Sequence, residues 1–218
     1  MERDWEKQAT FSLLQRSSKS HLFDCSQGGS KLSQPLMPHV RPQNKMKAKE
    51  FKQKWTAVEN NLEPFDSKEI EDLKINEQSK DFLKTGLPSQ AAPFLSFGHT
   101  DEANLQPANK VWSLPTKFEC YKVIGSNGYG DPVCINENDN SVVYLNHDDE
   151  FEYVYMNSSV EQLAHFLLIV RDFIENINSS SGSQSTKILN STIAEMIKID
   201  KIAMNEGSWE DDLRSFIE

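Results

Sequence analysis

A glycine cluster, formed by Gly125, Gly128 and Gly130 in the segment VIGSNGYGDP, is the first feature of the sequence that could serve chemistry. Glycine-rich loops bind phosphate when a strand, G-x-G-x-x-G and a helix follow one another. Here the order is G-x-x-G-x-G, Pro132 follows in a strand-like segment, and the Gly-Lys-Ser/Thr of a nucleotide-binding loop is absent from the sequence. The cluster is therefore predicted to be a wide hairpin turn that uses glycines for positive φ.

The charged segment at residues 147–150, with the sequence HDDE, has residue types suited to metal binding or acid–base work. A calcium loop requires alternate acidic residues, a central glycine and a closing glutamate, and this segment lacks that spacing. A zinc site requires several histidines or cysteines, and Cys120 and Cys134 have no histidine near them at the usual spacing. The segment is predicted to be a solvated turn, and neither a metal nor a cofactor is expected.

Nucleophilic catalysis has no signature in the sequence either. The chain contains no G-x-S-x-G segment and no cysteine–histidine pairing that its spacing supports. His165 falls within an amphipathic helical pattern. It is expected to lie at the surface or boundary of that helix and not to serve as a metal ligand. The sequence therefore predicts a protein that is not an enzyme.

Both segments are turns of a predicted antiparallel meander. Short apolar runs over 118–124, 132–135, 141–145 and 151–156 are rich in aromatic and β-branched residues, and three polar turns separate them. These runs predict the strands of a sheet whose rim carries the glycine cluster and the charged segment.

The residues after the meander predict helices that pack on the sheet. Either Ser158 with Glu161 or Ser159 with Gln162 fits a capping box, and apolar residues then recur at helical spacing. The serine-rich segment 178–186 predicts a flexible loop, and residues 188–204 are apolar enough to pack. The apolar face of the long helix consists of Leu163, Phe166, Leu167, Val170, Phe173, Ile174 and Ile177.

Charge divides the chain into two parts. Among its 218 residues, 23 are Lys or Arg and 33 are Asp or Glu, which gives a net charge of −10. Residues 1–45 carry a net charge of +3 and residues 46–218 a net charge of −13. The proline-punctuated residues 1–45 are predicted to be disordered or an upstream extension of a protein that starts at Met46, with a targeting or docking arm as the alternative. Residues 46–218 are predicted to form the folded domain.

Composition also disfavours several classes of protein. No apolar run approaches the 18 residues that suggest a membrane span. The first 30 residues lack the apolar segment of a secretory signal, which favours a cytoplasmic protein. An acidic body disfavours nucleic-acid binding, because phosphate contacts supply most of that affinity. It favours either attraction to a basic protein or simple solubility.

Several ordered motifs together resemble a known family. They are FLKTGLP, APFLSF, YKVIGSNGYGDPVCI, SVVYL, the NSS that precedes the long helix, and a terminal GSWEDDL. In this order and spacing they are similar to the SUKH superfamily, in the branch called the fourth SUKH immunity family. The resemblance runs from about Leu73 to Phe216, which is some two thirds of the chain.

The resemblance implies both a fold and a function. The fold is α+β, with a largely antiparallel mixed sheet of about six strands packed by helices. Members of the family are bacterial immunity proteins that bind and block polymorphic toxins, often nucleases or nucleic-acid deaminases, and they bring no catalytic residues. An interaction or ligand-sensing adaptor with no toxin partner is the alternative. The residues interpreted as structural are Gly86, Pro88, Gly125, Gly128, Gly130 and Trp209.

Partner-binding residues are expected on the turns that rim the sheet. The candidates are Asn127, Tyr129, His147, Asp148 and Asp149. Tyr129 lies between two glycines, as an aromatic that anchors an interface could. The sequence leaves open the alternative that its ring folds back on the sheet.

Overall fold

The computed structural model describes residues 45–98 and 104–217. The predicted N-terminal extension, residues 1–45, lies outside the described residues except for Lys45. The helices are α1 (Ala48–Thr56), α2 (Ser67–Asp72), α3 (Glu77–Thr85), α4 (Ala108–Val111), α5 (Val160–Asn178), α6 (Ser183–Ile199), α7 (Lys201–Glu206) and α8 (Trp209–Ser215). The strands are β1 (Leu62–Glu63), β2 (Leu87–Pro88), β3 (Ser96–Phe97), β4 (Tyr121–Ser126), β5 (Pro132–Asn136), β6 (Val142–Asn146) and β7 (Glu152–Asn157).

The main sheet has five strands in the order β3-β4-β5-β6-β7, and each pairing between them is antiparallel. Strands β4 to β7 form the meander, in which Cys134 lies opposite both Val123 and Val143. The predicted α+β class is confirmed. The strands, however, form a five-stranded sheet and a separate two-stranded sheet, whereas the resemblance implied one largely antiparallel mixed sheet of about six strands. The extended segment after α3 contains two strands with different partners. Strand β2 pairs with β1 in a separate two-stranded ribbon, and β3 pairs with β4 in the main sheet.

Both faces of the main sheet are covered, and each residue of β5 is therefore buried. One face packs against the helices and contributes Ile124, Val133 and Ile135 to the main core. The other face packs against the segment 104–118. A strand covered on both faces has a continuous apolar sequence, as residues 132–135 have. The smaller core on the second face consists of Ala108, Phe118, Cys120, Tyr121, Val123, Cys134, Val143 and Leu145.

Helix α5 covers the first face of the sheet. It begins after Ser159, whose Oγ accepts a hydrogen bond from the Glu161 N–H at 3.1 Å and donates one to the Gln162 side chain. Of the two N-terminal positions that the sequence left open, Ser158 and Ser159, the structure has Ser159. The predicted apolar face is buried apart from Ile174, which is half-buried.

The loop predicted over 178–186 is shorter in the structure, because α5 continues to Asn178 and α6 begins at Ser183. Serine and threonine are weak helix formers, and this preference is the basis of the predicted loop. Helix α6 buries Leu189 and Met196, and that tertiary packing outweighs the local preference.

The glycines of the cluster have two different roles. Of the three, Gly130 has a positive φ, at 86°, whereas Gly125 and Gly128 do not. A Cβ on Gly125 would lie 2.1 Å from the Ser96 carbonyl oxygen, and one on Gly128 would lie 2.7 Å from the Phe94 Cβ. Positive φ is thus the reason for Gly130 alone, whereas the close approach of Ser96 to Gly125 and of Phe94 to Gly128 explains the other two.

The remaining motif residues fix chain junctions. Gly86 ends α3 with a φ of 100°, and Pro88 in β2 lies opposite Leu62. The Trp209 indole N–H donates to the Met156 carbonyl oxygen at 3.0 Å, and its ring packs edge-on against Phe166 with centroids 5.2 Å apart. Trp209 therefore attaches α8 to both β7 and α5.

Asp200, between α6 and α7, is a buried carboxylate that joins distant parts of the chain. It is 4% exposed and accepts hydrogen bonds from the Ser158 N–H at 2.6 Å and the Ser158 Oγ at 2.8 Å. It also caps α7 by accepting the Ala203 N–H at 3.2 Å. Because Ser158 lies between β7 and α5, this one side chain attaches the start of α5 to the α6–α7 corner.

Candidate functional site

Two turns of the meander lie at the same edge of the main sheet. The β4–β5 turn comprises residues 127–131 and the β6–β7 turn residues 147–151, whereas the β5–β6 turn lies at the opposite edge. Successive strands of an antiparallel meander reverse direction, so alternate turns lie at one end. This edge brings together the candidate residues Asn127, Tyr129, His147, Asp148 and Asp149.

Asp131 links the two turns through its carboxylate. Its Oδ1 accepts the His147 N–H at 3.0 Å and lies 2.5 Å from the Nδ1 of the same histidine. Its Oδ2 accepts a hydrogen bond from the Asn127 Nδ2 at 2.9 Å. The Asn127 Oδ1 in turn accepts the N–H groups of Tyr129 and Asp131, both at 3.0 Å. We call Asn127, Asp131 and His147 the turn clip, since they join the two turns into one unit.

Asn146, the last residue of β6, shapes the second turn through hydrogen bonds to the turn backbone. Its Oδ1 accepts the Asp148 N–H at 3.0 Å, and its carbonyl oxygen accepts the N–H groups of Asp149 at 3.1 Å and Phe151 at 2.8 Å. With the backbone bonded in this way, the side chains of Asp148, Asp149 and Glu150 are exposed, and that of Asp148 is 87% exposed. The turn therefore presents carboxylates to solvent.

Tyr129 lies at the tip of the first turn and is 56% exposed. Its backbone N–H donates a hydrogen bond to the Asn127 side chain, so the turn clip also fixes the position of the Tyr129 backbone. Of the two positions that the sequence left open, the structure has the exposed one. Tyrosine is enriched near the centre of protein interfaces, whereas carboxylates are found mainly at the polar rim.

The surroundings of His147 favour its protonated form. The hydrogen bond with Asp131 is the main cause that raises the pKa of His147 above its ordinary value, and the charge of Asp148, 3.4 Å from the Nε2, acts in the same direction. Desolvation opposes both effects. Because the folded-state pKa is raised, this contribution to stability is complete below the unfolded pKa and disappears as the pH rises through the folded pKa.

We expect an NMR titration to give His147 a pKa above about 6.5, the value of an unperturbed histidine. The substitution Asp131→Asn should lower that pKa, because it removes the carboxylate that holds the imidazolium. His165 provides an internal control, since burial lowers its pKa and Asp131 is not among the groups that act on it. An unchanged pKa of His147 in the variant would contradict the turn clip.

The opposite edge of the sheet has a pocket of about 450 Å³ next to α2 and the β5–β6 turn. The Lys122 Nζ lies 3.3 Å from the Glu137 Oε2, and the Glu137 Oε1 accepts the Lys74 N–H at 2.8 Å. These bonds attach the β5–β6 turn to the chain after α2. The half-buried charges of Lys122 and Glu137 are thus used in holding the fold together.

Three features of the described residues concern metal binding, thiol chemistry and membrane insertion. Within 45–98 and 104–217, no three His, Cys, Asp or Glu side chains are grouped so that they could hold a metal ion. Burial raises the pKa of the Cys134 thiol, which disfavours the thiolate that a cysteine nucleophile requires. Over the same part of the chain, none of the helices combines the length and the apolar character needed to cross a membrane.

Sequence reasoning missed the residues that organise this edge, Asp131 and Asn146. Asp131 follows Asn127 by four positions in a glycine-containing turn, a spacing that suits a local side-chain bond. Its bonds to His147 depend on the register between β5 and β6, which no local pattern contains. The role of Asn146 could have been predicted from its position directly before a charged turn. An asparagine side chain often accepts a hydrogen bond from the backbone N–H two residues further along the chain.

A comparison with family models bears on the whole of this fold. The model described as SUKH-4 immunity protein matches residues 47–215, from the start of α1 to the end of α8. None of the curated proteins and none of the solved structures matches the chain. The family match includes the meander, both turns of the candidate site and the helices that cover the sheet. The chain therefore belongs to the SUKH-4 immunity protein family, as its motifs suggested.

Proposed function

We propose that this protein is a non-catalytic immunity protein that binds a cognate polymorphic toxin and neutralises it in the cytoplasm of the producing bacterium. Membership of the immunity family supports a role in toxin immunity. The toxin classes that we favour are nucleases and nucleic-acid deaminases. Enzymes of these classes bind phosphate with basic surfaces, and such a surface attracts an acidic inhibitor.

The observation that carries this proposal is the turn clip with the carboxylates beside it. Two turns that are distant in sequence are held as one surface, and Asp148 and Asp149 project from it. A surface that is ordered before binding loses little conformational entropy when the partner docks. Asn127, Tyr129, His147, Asp148 and Asp149 are the residues that we assign to toxin binding.

Charge supports a protein partner over nucleic acid or an anionic membrane. Residues 46–218 carry a net charge of −13. Phosphate backbones and anionic headgroups would be repelled by that charge, whereas a basic toxin would be attracted over several ångströms. The attraction is expected to act on the association rate more than on the lifetime of the complex.

Co-expression with the toxin encoded by the neighbouring gene tests the proposal. We expect the protein to restore growth and to co-purify with the toxin as a stable complex. Continued growth arrest together with the absence of a complex would show that the proposal is wrong. A neighbouring operon without any toxin gene would favour the adaptor function instead.

Charge reversal at Asp148 and Asp149 to lysine should slow association with the toxin by about tenfold or more and should reduce its dependence on salt. Stopped-flow binding at low and high salt measures both effects. The control is a protein with Asp81→Lys and Glu195→Lys, which carries the same change in net charge at exposed positions on α3 and α6. Equal association rates for the two variants would remove this turn from the interface.

A further inference from the structure

We propose that Trp112 is a second aromatic anchor of the toxin-binding surface and that a basic segment of the toxin lies across it and Tyr129. The exposed carboxylates between the two rings would pair with Lys or Arg side chains of that segment. This inference deepens the proposed function and rests on it.

Trp112 is attached to the candidate site through Phe151. It directly follows α4, a single helical turn on the second face of the sheet, and the residue is 37% exposed. The ring centroids of Trp112 and Phe151 are 6.4 Å apart. Phe151 follows Glu150 and directly precedes β7, whereas Asp131 directly precedes β5 on the other side of β6, so Trp112 contacts the β7 side of the charged turn.

The two exposed rings lie on either side of the carboxylates. On one side, Tyr129 is connected to His147 through the bonds of Asp131. On the other side, Trp112 packs on the residue that closes the same turn. Through these contacts, Tyr129, the exposed carboxylates and Trp112 are connected in that order by way of the β6–β7 turn.

The exposure of Trp112 distinguishes it from the other two tryptophans that the structure describes. Trp55 and Trp209 are 1% and 3% exposed, and each donates its indole N–H within the fold. A tryptophan left partly in water contributes less to the core than a buried one does. In an interface the same ring is among the residue types that contribute most to binding.

The chemistry of this surface identifies the kind of occupant. Guanidinium and ammonium groups bind over the faces of tryptophan and tyrosine rings, and they also pair with carboxylates. Asp148, Asp149 and Glu150 provide the carboxylates between the rings. A segment with basic side chains spaced to reach both rings and the acidic turn satisfies the whole surface.

The test uses the catalytically inactive toxin from the neighbouring gene as the probe. We expect Trp112→Ala to weaken its binding about 30-fold. Trp112→Phe keeps a ring against Phe151 and should weaken binding less. Val58→Ala, which removes an exposed apolar side chain two residues after α1, should leave the affinity unchanged. Thermal unfolding of each variant verifies that the fold is retained.

Fluorine NMR of the protein labelled with 5-fluorotryptophan gives a second measurement that does not depend on a variant's stability. The signal absent from Trp112→Phe identifies Trp112, and it should shift on binding while those of Trp55 and Trp209 stay in place. If wild-type protein binds but Trp112→Ala binds equally well and the signal does not shift, the inference is overturned and the proposed function stands. If wild-type protein does not bind the toxin, both are overturned.

Discussion

Replacing Asp200 by alanine is expected to lower the free energy of unfolding by about 3 kcal/mol. The carboxylate is buried and accepts hydrogen bonds from the backbone and hydroxyl of Ser158 and from the backbone of Ala203. Alanine leaves these donors without an acceptor where water has little access, and an unmade buried hydrogen bond costs about 1–3 kcal/mol. Urea unfolding followed by tryptophan fluorescence measures the change.

Two further variants make the result specific to this junction. Asp200→Asn keeps one acceptor oxygen and should lose about half as much stability. Glu195→Ala removes an exposed carboxylate from α6, and its effect should stay within about 0.5 kcal/mol. If Asp200→Ala were no less stable than Glu195→Ala, Asp200 would not hold the α6–α7 corner against the start of α5.

Asp131→Ala is expected to weaken toxin binding about 100-fold, although Asp131 itself is almost inaccessible to a partner. Its side chain is 7% exposed and acts by holding Asn127 and His147 in place. Without it, two or three turn residues would have to become ordered on binding, at about 1–2 kcal/mol each. Surface plasmon resonance gives the affinity, and amide hydrogen exchange of residues 127–131 and 147–151 reports the loss of order.

The chain offers a matched control in the β5–β6 turn. Asp139 is exposed there, and its Oδ1 accepts hydrogen bonds from the N–H and Oγ of Ser141 at 2.9 and 2.7 Å. Asp139→Ala should loosen a turn at the opposite edge of the sheet and leave the affinity within twofold. If both variants bound equally well, preorganisation by the turn clip would be the wrong explanation. Faster exchange in Asp131→Ala without a loss of affinity would place the interface elsewhere.

Local patterns were sufficient to predict the meander and α5. Four short apolar runs separated by polar turns correspond to β4–β7, and helical spacing from Leu163 to Ile177 gave the buried face of α5. Each of these signals is contained within a few turns or one strand of sequence. The candidate residues on the two turns could be named for the same reason, because a polar turn can be recognised in the sequence without knowing which distant residues it contacts.

Interactions between distant positions were not predictable in this way. Asp131 and His147 are 16 positions apart, and Asp200 and Ser158 are 42 apart. The sequence shows an aspartate in each case, but the fold decides which donor it finds. Trp112 lies in a stretch without periodicity, so its exposure depends on how α4 meets the β6–β7 turn. The start of α6 was missed because packing outweighed its serine-rich composition.

The residues that we propose to contact the toxin lie on hairpin tips, and this location bears on how such a protein could change its target. The core does not include Tyr129, Asp148 or Asp149. The strand pairings from β4 through β7 do not depend on these side chains either. Drift at these tips can therefore follow a diverging toxin without loss of foldability. Asp131 is under a different constraint, because replacing it disturbs both tips together, and we expect paralogues with new targets to retain it.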